Sequence, residues 1–371
     1  MFIGVPKEIK TDEYRVGLTP ATVEELTTRG HRVVVETVAG AGAGIADQEY
    51  IAAGAEIATS ADQIFQRAEL IVKVKEPLAS EREQLRRGQI IFTYLHLAPD
   101  PEQTHDLMAS GVTALAYETV TDAAGKLPLL APMSRVAGRM APQVAAHFLQ
   151  RPQGGRGILL GGIDGLPPAS ILVLGGGVVG SNAAEMAIGM GAKVSIAART
   201  PETLRQLSQR FGDGVTTVTS DAEAIEALCS SADVVIGAAL VAGAAAPKLI
   251  PARTVAAMKP GSVIVDVSID QGGCAETSRP TTHSQPTFLI GGVVHYCVPN
   301  MPGAVPRTSA YALDNATRPF VLALADKGFP RALIDNPHLR NGLNVHDGKV
   351  TCRAVADALR LPFTAAIDVL H

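Results

Sequence analysis

The stretch that most restricts how this chain can fold starts at Ile171-Leu172-Val173-Leu174. It passes directly into Gly175-Gly176-Gly177-Val178-Val179-Gly180. Four consecutive apolar residues suit a strand buried on both faces, as in a parallel sheet. Residues 181–190 are small and apolar enough for a helix, which Gly191 ends. Lys193-Val194-Ser195-Ile196-Ala197 then reads as the next strand. Strand, glycine turn, helix and strand within about thirty residues make a βαβ unit. Such a unit commits the chain to a parallel sheet with helices packed on its faces.

The glycine spacing carries chemistry as well as shape. Gly175 permits a tight turn. Gly177 has no Cβ, so a pyrophosphate can approach the backbone. Gly180 lets the helix pack close to the strand. The helix N-terminus offers unbonded N–H groups and a partial positive charge to phosphates. Glycine loops between strands and helices also occur as plain turns, so the spacing alone is weak evidence. The surrounding βαβ pattern makes dinucleotide binding the better reading. In an NAD site, an acid at the end of the second strand receives the ribose 2′-hydroxyl; in an NADP site an Arg is favoured. That place, about twenty residues past Gly175, holds Ala198, Arg199 and Thr200. Arg makes paired, charge-assisted hydrogen bonds to phosphate, so Ala198-Arg199 favours NADP. The alternative is an exposed Arg beside a tolerant NAD site.

A chain of 371 residues suits about two domains. Hydrophobic residues make up 47% and charged residues 18%. Aromatics are only 4% and Trp is absent, so Ala, Gly and Val fill the interior. The net charge of −4 comes with no basic run, which argues against nucleic acid and anionic membrane surfaces. No stretch approaches the eighteen or so apolar residues of a membrane span. Cys229, Cys274, Cys297 and Cys352 show no C-x-x-C pairing and read as reduced thiols of a cytoplasmic protein. The N-terminus lacks the apolar run of a signal peptide. No metal-ligand cluster is evident.

The first 130 residues alternate strand-like runs (2–5, 32–36, 70–74, 90–94, 113–117) with helical ones (19–29, 47–53, 101–110). Residues 134–150 read as a single helix. Later strands are expected at 216–218, 234–238, 263–267 and 288–290, and a helix from Pro306 to about Lys327. The remaining tail is too short for a third domain and must pack on one of the others. The expected fold is α/β with two Rossmann-like domains. One is a doubly wound dinucleotide-binding sheet.

Residues suited to chemistry sit at strand ends, where open α/β sheets bind ligands. Arg15 lies in a polar loop, Lys75 follows a buried strand, and His96 follows another. Arg and Lys there can hold a carboxylate, and His can move protons near neutral pH. Singly, each is more often solvated or structural. Asp266 reads as a satisfied strand-end acid. Asp270, just beyond the strand, is equally balanced between function and structure. The loop from Val298 through Asn300 and Met301 borders a cofactor or serves as a hinge.

Together these segments carry a family resemblance. They include Gly4-Val5-Pro6-Lys7-Glu8 with Arg15, Val74-Lys75-Glu76-Pro77, Thr93-Tyr94-Leu95-His96-Leu97 and Leu130-Ala131-Pro132-Met133-Ser134. After the glycine loop come Pro247-Lys248-Leu249, Asp266 through Cys274, Ser278-Arg279-Pro280 and Val298-Pro299-Asn300-Met301-Pro302-Gly303. In this order, over nearly the whole length, they resemble the L-alanine dehydrogenase family. The family is related to the nucleotide-binding part of proton-translocating transhydrogenase. The resemblance implies reversible oxidative deamination of L-alanine to pyruvate and ammonia. It implies that Arg15 and Lys75 grip the carboxylate, that His96 and Asp270 move protons, and that Asn300 lines the same site. Ser134, Gly175, Gly177, Val178, Val179, Gly180, Ser220, Ala239, Leu240 and Met301 would contact the cofactor. Ala198 and Arg199 stand where the family usually has Asp and an apolar residue, which sets NADP against the family's usual NAD.

The resemblance further implies a homo-hexamer. It also implies a discontinuous substrate domain (1–130 with 307–371) around a dinucleotide domain (131–306). Competing readings are a transhydrogenase-like nucleotide-binding subunit, a dehydrogenase of a larger amino acid, and a catalytically idle relative.

Overall fold

The computed structural model describes residues 1–239 and 246–370. The chain divides into two units, Met1–Met133 with Gly303–His371, and Ser134–Pro302. Each is organised around its own sheet.

In the first unit β1 (Phe2–Val5), β2 (Arg32–Glu36), β3 (Glu56–Ala58), β4 (Leu70–Val72), β5 (Ile90–Thr93) and β6 (Thr113–Ala116) are all parallel. Their order is β6-β5-β4-β1-β2-β3. Every residue of β4, β5 and β6 is buried, as expected for strands covered on both faces. The connecting helices are cut where the sequence signals it. Pro101–Ser110 starts with Pro behind Asp100, whose carboxylate accepts the Gln103 N–H at 3.0 Å, and stops at Gly111 with φ 69°.

The second unit contains β7 (Ser170–Leu174), β8 (Lys193–Ala198), β9 (Val215–Thr219), β10 (Val234–Gly237), β11 (Val263–Asp266), β12 (Thr287–Ile290) and β13 (Val293–Tyr296). The order is β12-β13-β11-β10-β7-β8-β9, parallel except for the β12–β13 hairpin. The chain winds outwards from β7 in both directions, so β7 lies at the point where the strand order reverses. Ligands of doubly wound sheets bind at that point. Alternate residues of β7 enter two cores. Ile171 and Val173 pack with Ala183, Ala184 and Ala187 on one face. Leu172 and Leu174 pack with Ile225, Cys229 and Val255 on the other. The small helix residues let the helix lie close to the sheet, which explains the Ala-rich, aromatic-poor composition.

Two strands, β14 (Leu343–His346) and β15 (Lys349–Val350), return the chain to the first unit. They add to the β6 edge in antiparallel fashion. The helix Pro306–Lys327 is fastened to the same unit through Asp314. Its buried carboxylate accepts from the Thr19 N–H at 3.0 Å, Thr19 Oγ1 at 2.7 Å and Thr22 Oγ1 at 2.8 Å.

The strand-like runs read from the sequence include neither β3 nor β13. The first has three residues and opens on an exposed Glu56. The second is split from β12 only by Gly291-Gly292, both at positive φ. The helix expected at 181–190 spans Val178–Gly189, and that expected at 134–150 spans Ala131–Phe148.

Candidate active site

The first unit places Arg15, Lys75 and His96 beyond the C-terminal ends of three adjacent parallel strands, β1, β4 and β5. The loops after β4 and β5 are tied together. The Tyr94 N–H donates to the Val74 carbonyl at 3.3 Å, and Thr93 Oγ1 to the Lys75 carbonyl at 2.8 Å.

Arg15 lies in the loop expected, but it is only 2% exposed. Glu13 holds it there. Its carboxylate receives Arg15 Nε at 2.6 Å and Nη2 at 2.5 Å, and Oε1 also accepts the Arg15 backbone N–H at 3.0 Å. Nη1 donates to the Met133 sulfur at 3.0 Å. A bidentate carboxylate fixes a guanidinium in plane and direction. Burial disfavours the charge, but Glu13 outweighs it and raises the Arg15 pKa.

Lys75 is largely buried, with Nζ 3.7 Å from Glu76. Burial pushes the Glu76 carboxyl up, but Lys75 and Lys10, both ion-paired with it, together hold it below the ordinary 4.5. The Lys75 backbone is set by a buried triad. Lys73 Nζ donates to Glu8 at 3.1 Å and Glu81 at 2.7 Å. Glu8 also accepts the N–H groups of Val74 at 2.6 Å and Lys75 at 3.4 Å. Burial raises the Glu8 pKa against the pull of Lys73. The same burial acts to lower that of Lys73, and Glu8 and Glu81 reverse it.

His96 is half-exposed and sits at φ 51°. Its ring stacks on Tyr94, centroids 5.9 Å apart and planes 5° from parallel. Tyr94 is buried and donates through its hydroxyl to the Leu129 carbonyl at 2.6 Å. Burial raises its pKa, partly offset by Arg15.

The second unit brings Asp270 and Asn300 together. Asp270 is exposed in a 3-10 turn after β11, and its Oδ1 accepts the Asn300 N–H at 3.2 Å. Asn300 has φ 58°, a left-handed conformation that Asn tolerates. Asp266 is buried and saturated instead. It accepts from Ser268 N, Cys274 N, Ala275 N and Ser278 Oγ.

The glycine loop has the geometry a dinucleotide requires. Gly175 is at φ 115°, and a Cβ there would lie 2.5 Å from the Ala238 carbonyl. A Cβ on Gly180 would overlap the Gly175 carbonyl. Gly177 is different: a Cβ there would meet nothing within 4 Å. Among the described residues its glycine therefore meets no packing demand, which leaves open space for a ligand beside the backbone. Among the described residues no side chain caps the helix that starts at Val178, so its first N–H groups keep their donor capacity. Val178 is 43% exposed and Val179 half-buried at this end.

Ala198 closes β8, buried, and Arg199 follows it, exposed. The Ser220 N–H donates to the Ala198 carbonyl at 3.0 Å. Ser220 also lines a cavity of about 170 Å³ with Asp221, Ile225, Lys248 and Leu249. The Ala239 carbonyl accepts Ser268 Oγ at 2.8 Å. Ser134 is half-buried on the Ala131–Phe148 helix, and Met301 is 2% exposed within the core. Leu240 lies outside the described residues. Among the described residues, no group of three His, Cys, Asp or Glu could hold a metal, and no helix is long and apolar enough to cross a membrane.

The family profile described as "Alanine dehydrogenase/PNT, N-terminal domain" matches residues 4–137, and "Alanine dehydrogenase/PNT, C-terminal domain" matches residues 141–353. The chain belongs to the alanine dehydrogenase family. The alanine dehydrogenase of Halomonas elongata is 56% identical over 370 residues, covering 100% of both chains. A solved L-alanine dehydrogenase has a TM-score of 0.94 at 51% identity, covering 97% of this chain and 99% of that one. A transhydrogenase from Sinorhizobium meliloti follows at 0.82 and 26%, covering 95% and 100%. The alanine dehydrogenase fold is thus shared along the whole chain.

Glu8, Glu13, Glu118 and Tyr94 are the neighbours that sequence reasoning assigned no role. The only local signal was the two-residue spacing of Glu13 from Arg15.

Proposed function

We propose that the chain is an alanine dehydrogenase that takes NADP in preference to NAD. It interconverts L-alanine with pyruvate and ammonia. Full-length identity above half to an alanine dehydrogenase supports the reaction. The carboxylate-free, buried Ala198 followed by the exposed Arg199 supports the cofactor preference. The glycine loop, the uncapped helix and Ser220 would hold the dinucleotide. The bound nicotinamide supplies the hydride acceptor.

Arg15 and Lys75 bind the substrate carboxylate. Arg15 Nη1 now donates to a thioether, a weak acceptor; a carboxylate is a stronger one. Fixing the carboxylate at two points orients Cα, which supplies much of the rate. Loss of hydride from Cα of the neutral amine leaves an iminium. His96 takes a proton from the water that adds to it. The adduct is a carbinolamine. Asp270, set by the Asn300 N–H, takes the proton of its hydroxyl and passes it to the nitrogen, so that the C–N bond breaks, the carbonyl forms, and pyruvate and ammonia leave.

The assembly is a homo-hexamer in the cytoplasm on this reading. Exposed Leu159, Ile163 and Leu166, each more than 60% accessible, favour self-association. The four cysteines, all free, suit a reducing compartment. Whereas the transhydrogenase match has 26% identity, that of the alanine dehydrogenase has 51%, which favours the enzyme.

Rates with L-alanine and each cofactor test the proposal. The ratio kcat/KM should be higher with NADP, and Ala198→Asp should reverse it. A strong NAD preference in the unaltered protein refutes the role of Arg199. Faster turnover of a larger amino acid refutes the substrate assignment.

A further inference from the structure

His96 adopts a backbone conformation that non-glycine residues enter rarely. The reason lies across the sheet. β5 and β6 are parallel neighbours with Thr93 beside Ala116, so the loops that follow them emerge side by side. The second loop is the 3-10 turn Tyr117–Thr119. Its Glu118 carboxylate reaches back to the first. Glu118 Oε1 accepts the His96 N–H at 2.6 Å, and both oxygens accept the Leu95 N–H at 3.2 Å. Two successive N–H groups converging on one anion form a backbone nest. The turn of the chain at His96 is therefore shaped around this carboxylate.

The same Oε1 lies 3.9 Å from His96 Nδ1. That is ion-pair range, longer than a hydrogen bond, and such contacts shorten when substrate completes a site. The ring thus stacks by its face on Tyr94 and turns its Nδ1 edge towards Glu118. A carboxylate at one ring nitrogen favours the tautomer with hydrogen there and frees the other nitrogen to accept a proton.

We infer that Glu118 is the positioning residue of His96: it keeps the proton on Nδ1, so that Nε2 exchanges protons with water and substrate. The inference rests on the proposed role of His96. When Nε2 takes the proton of the attacking water, the ring becomes positive, and the Glu118 carboxylate balances that charge.

Glu118→Gln leaves one oxygen to accept the backbone N–H groups and removes the charge beside Nδ1. The expected result is a kcat about a hundredfold lower, with KM for L-alanine and cofactor Kd within about twofold of the parent. Adding Glu118→Gln to His96→Ala should cost nothing more, because a residue that works through His96 has nothing left to position. Independent multiplication of the two losses, or an unchanged kcat in Glu118→Gln, overturns the inference. Nitrogen-15 NMR of the unaltered protein gives a second reading that needs no variant to fold. Hydrogen on Nδ1 of neutral His96 is expected, and hydrogen on Nε2 overturns the inference. If His96→Ala itself keeps full activity, the proposed role of His96 fails first; if only Glu118→Gln does, the inference alone fails.

Discussion

Replacing Glu13 by Gln isolates what holds Arg15 in the interior. Arg15 is 2% exposed and the Glu13 side chain 0%, so solvent screens neither. The guanidinium stays charged at any ordinary pH. Gln matches the Glu13 shape but offers a single acceptor oxygen. Its NH2 must face a guanidinium N–H, donor against donor. One of the two bonds now at 2.6 and 2.5 Å is lost, a net cost of about 1.5–3 kcal/mol for a charged pair. The larger effect is a buried cation deprived of its bidentate anion, about 3–5 kcal/mol. With an m-value near 2–3 kcal/mol/M, the urea midpoint should fall by about 1–2 M. Far-UV circular dichroism can follow this, since the chain has no Trp. KM for pyruvate should rise together with the lost stability. Removing both charges in Arg15→Met with Glu13→Leu should return most of the stability but not the binding. A loss below about 1 kcal/mol for Glu13→Gln would refute the reasoning, since Arg15 would then be held by its surroundings rather than by Glu13.

Two glycines of the loop should behave differently when each becomes Ala. Gly180→Ala forces a Cβ onto the Gly175 carbonyl and should lower thermal stability by about 1–3 kcal/mol even without cofactor. Gly177→Ala meets open space, so it should leave the melting temperature alone and weaken cofactor Kd only. Acidification should also destabilise the chain through His295. It is fully buried, with Nδ1 on the Val293 carbonyl and Nε2 on Thr277 Oγ1. Burial lowers its pKa below the ordinary 6.5, although the Val293 carbonyl opposes this. The unfolded chain then takes up the proton first, so stability present above 6.5 is lost as pH falls towards the folded value; His346 shifts the same way. The urea midpoint measured between about pH 8 and about pH 5 should fall less in His295→Gln than in the parent; an equal fall excludes His295 as the cause.

The parts of this molecule legible in the sequence are those fixed locally. The β7 run of four apolar residues and the glycines after it declare a buried strand and its turn within ten positions. The Gly291-Gly292 pair carried an equally local hairpin signal, and with it β13 was within reach. β3 was not, because three residues paired to β2 gain their order from the sheet. In the site, residue type and strand ends pointed to Arg15, Lys75 and His96. The depth at which Arg15 lies was hidden, because a polar loop is ordinarily solvated. Glu13 folding back on it makes the burial tolerable. Glu118 was invisible for another reason: it is 22 residues from His96, and only the side-by-side emergence of β5 and β6 joins them.

The return of β14 and β15 to the first sheet also governs how the chain is assembled during synthesis. The second unit is one continuous stretch and has all its strands before the tail is made. β6 must wait, its edge open, until everything between it and β14 has left the ribosome. An open parallel edge of buried residues is a template for foreign strands. Translation that stops short of residue 343 would therefore release a chain with a finished second unit and an adhesive first one. For this protein β14, backed by β15, serves as a cover for an edge exposed since early in synthesis.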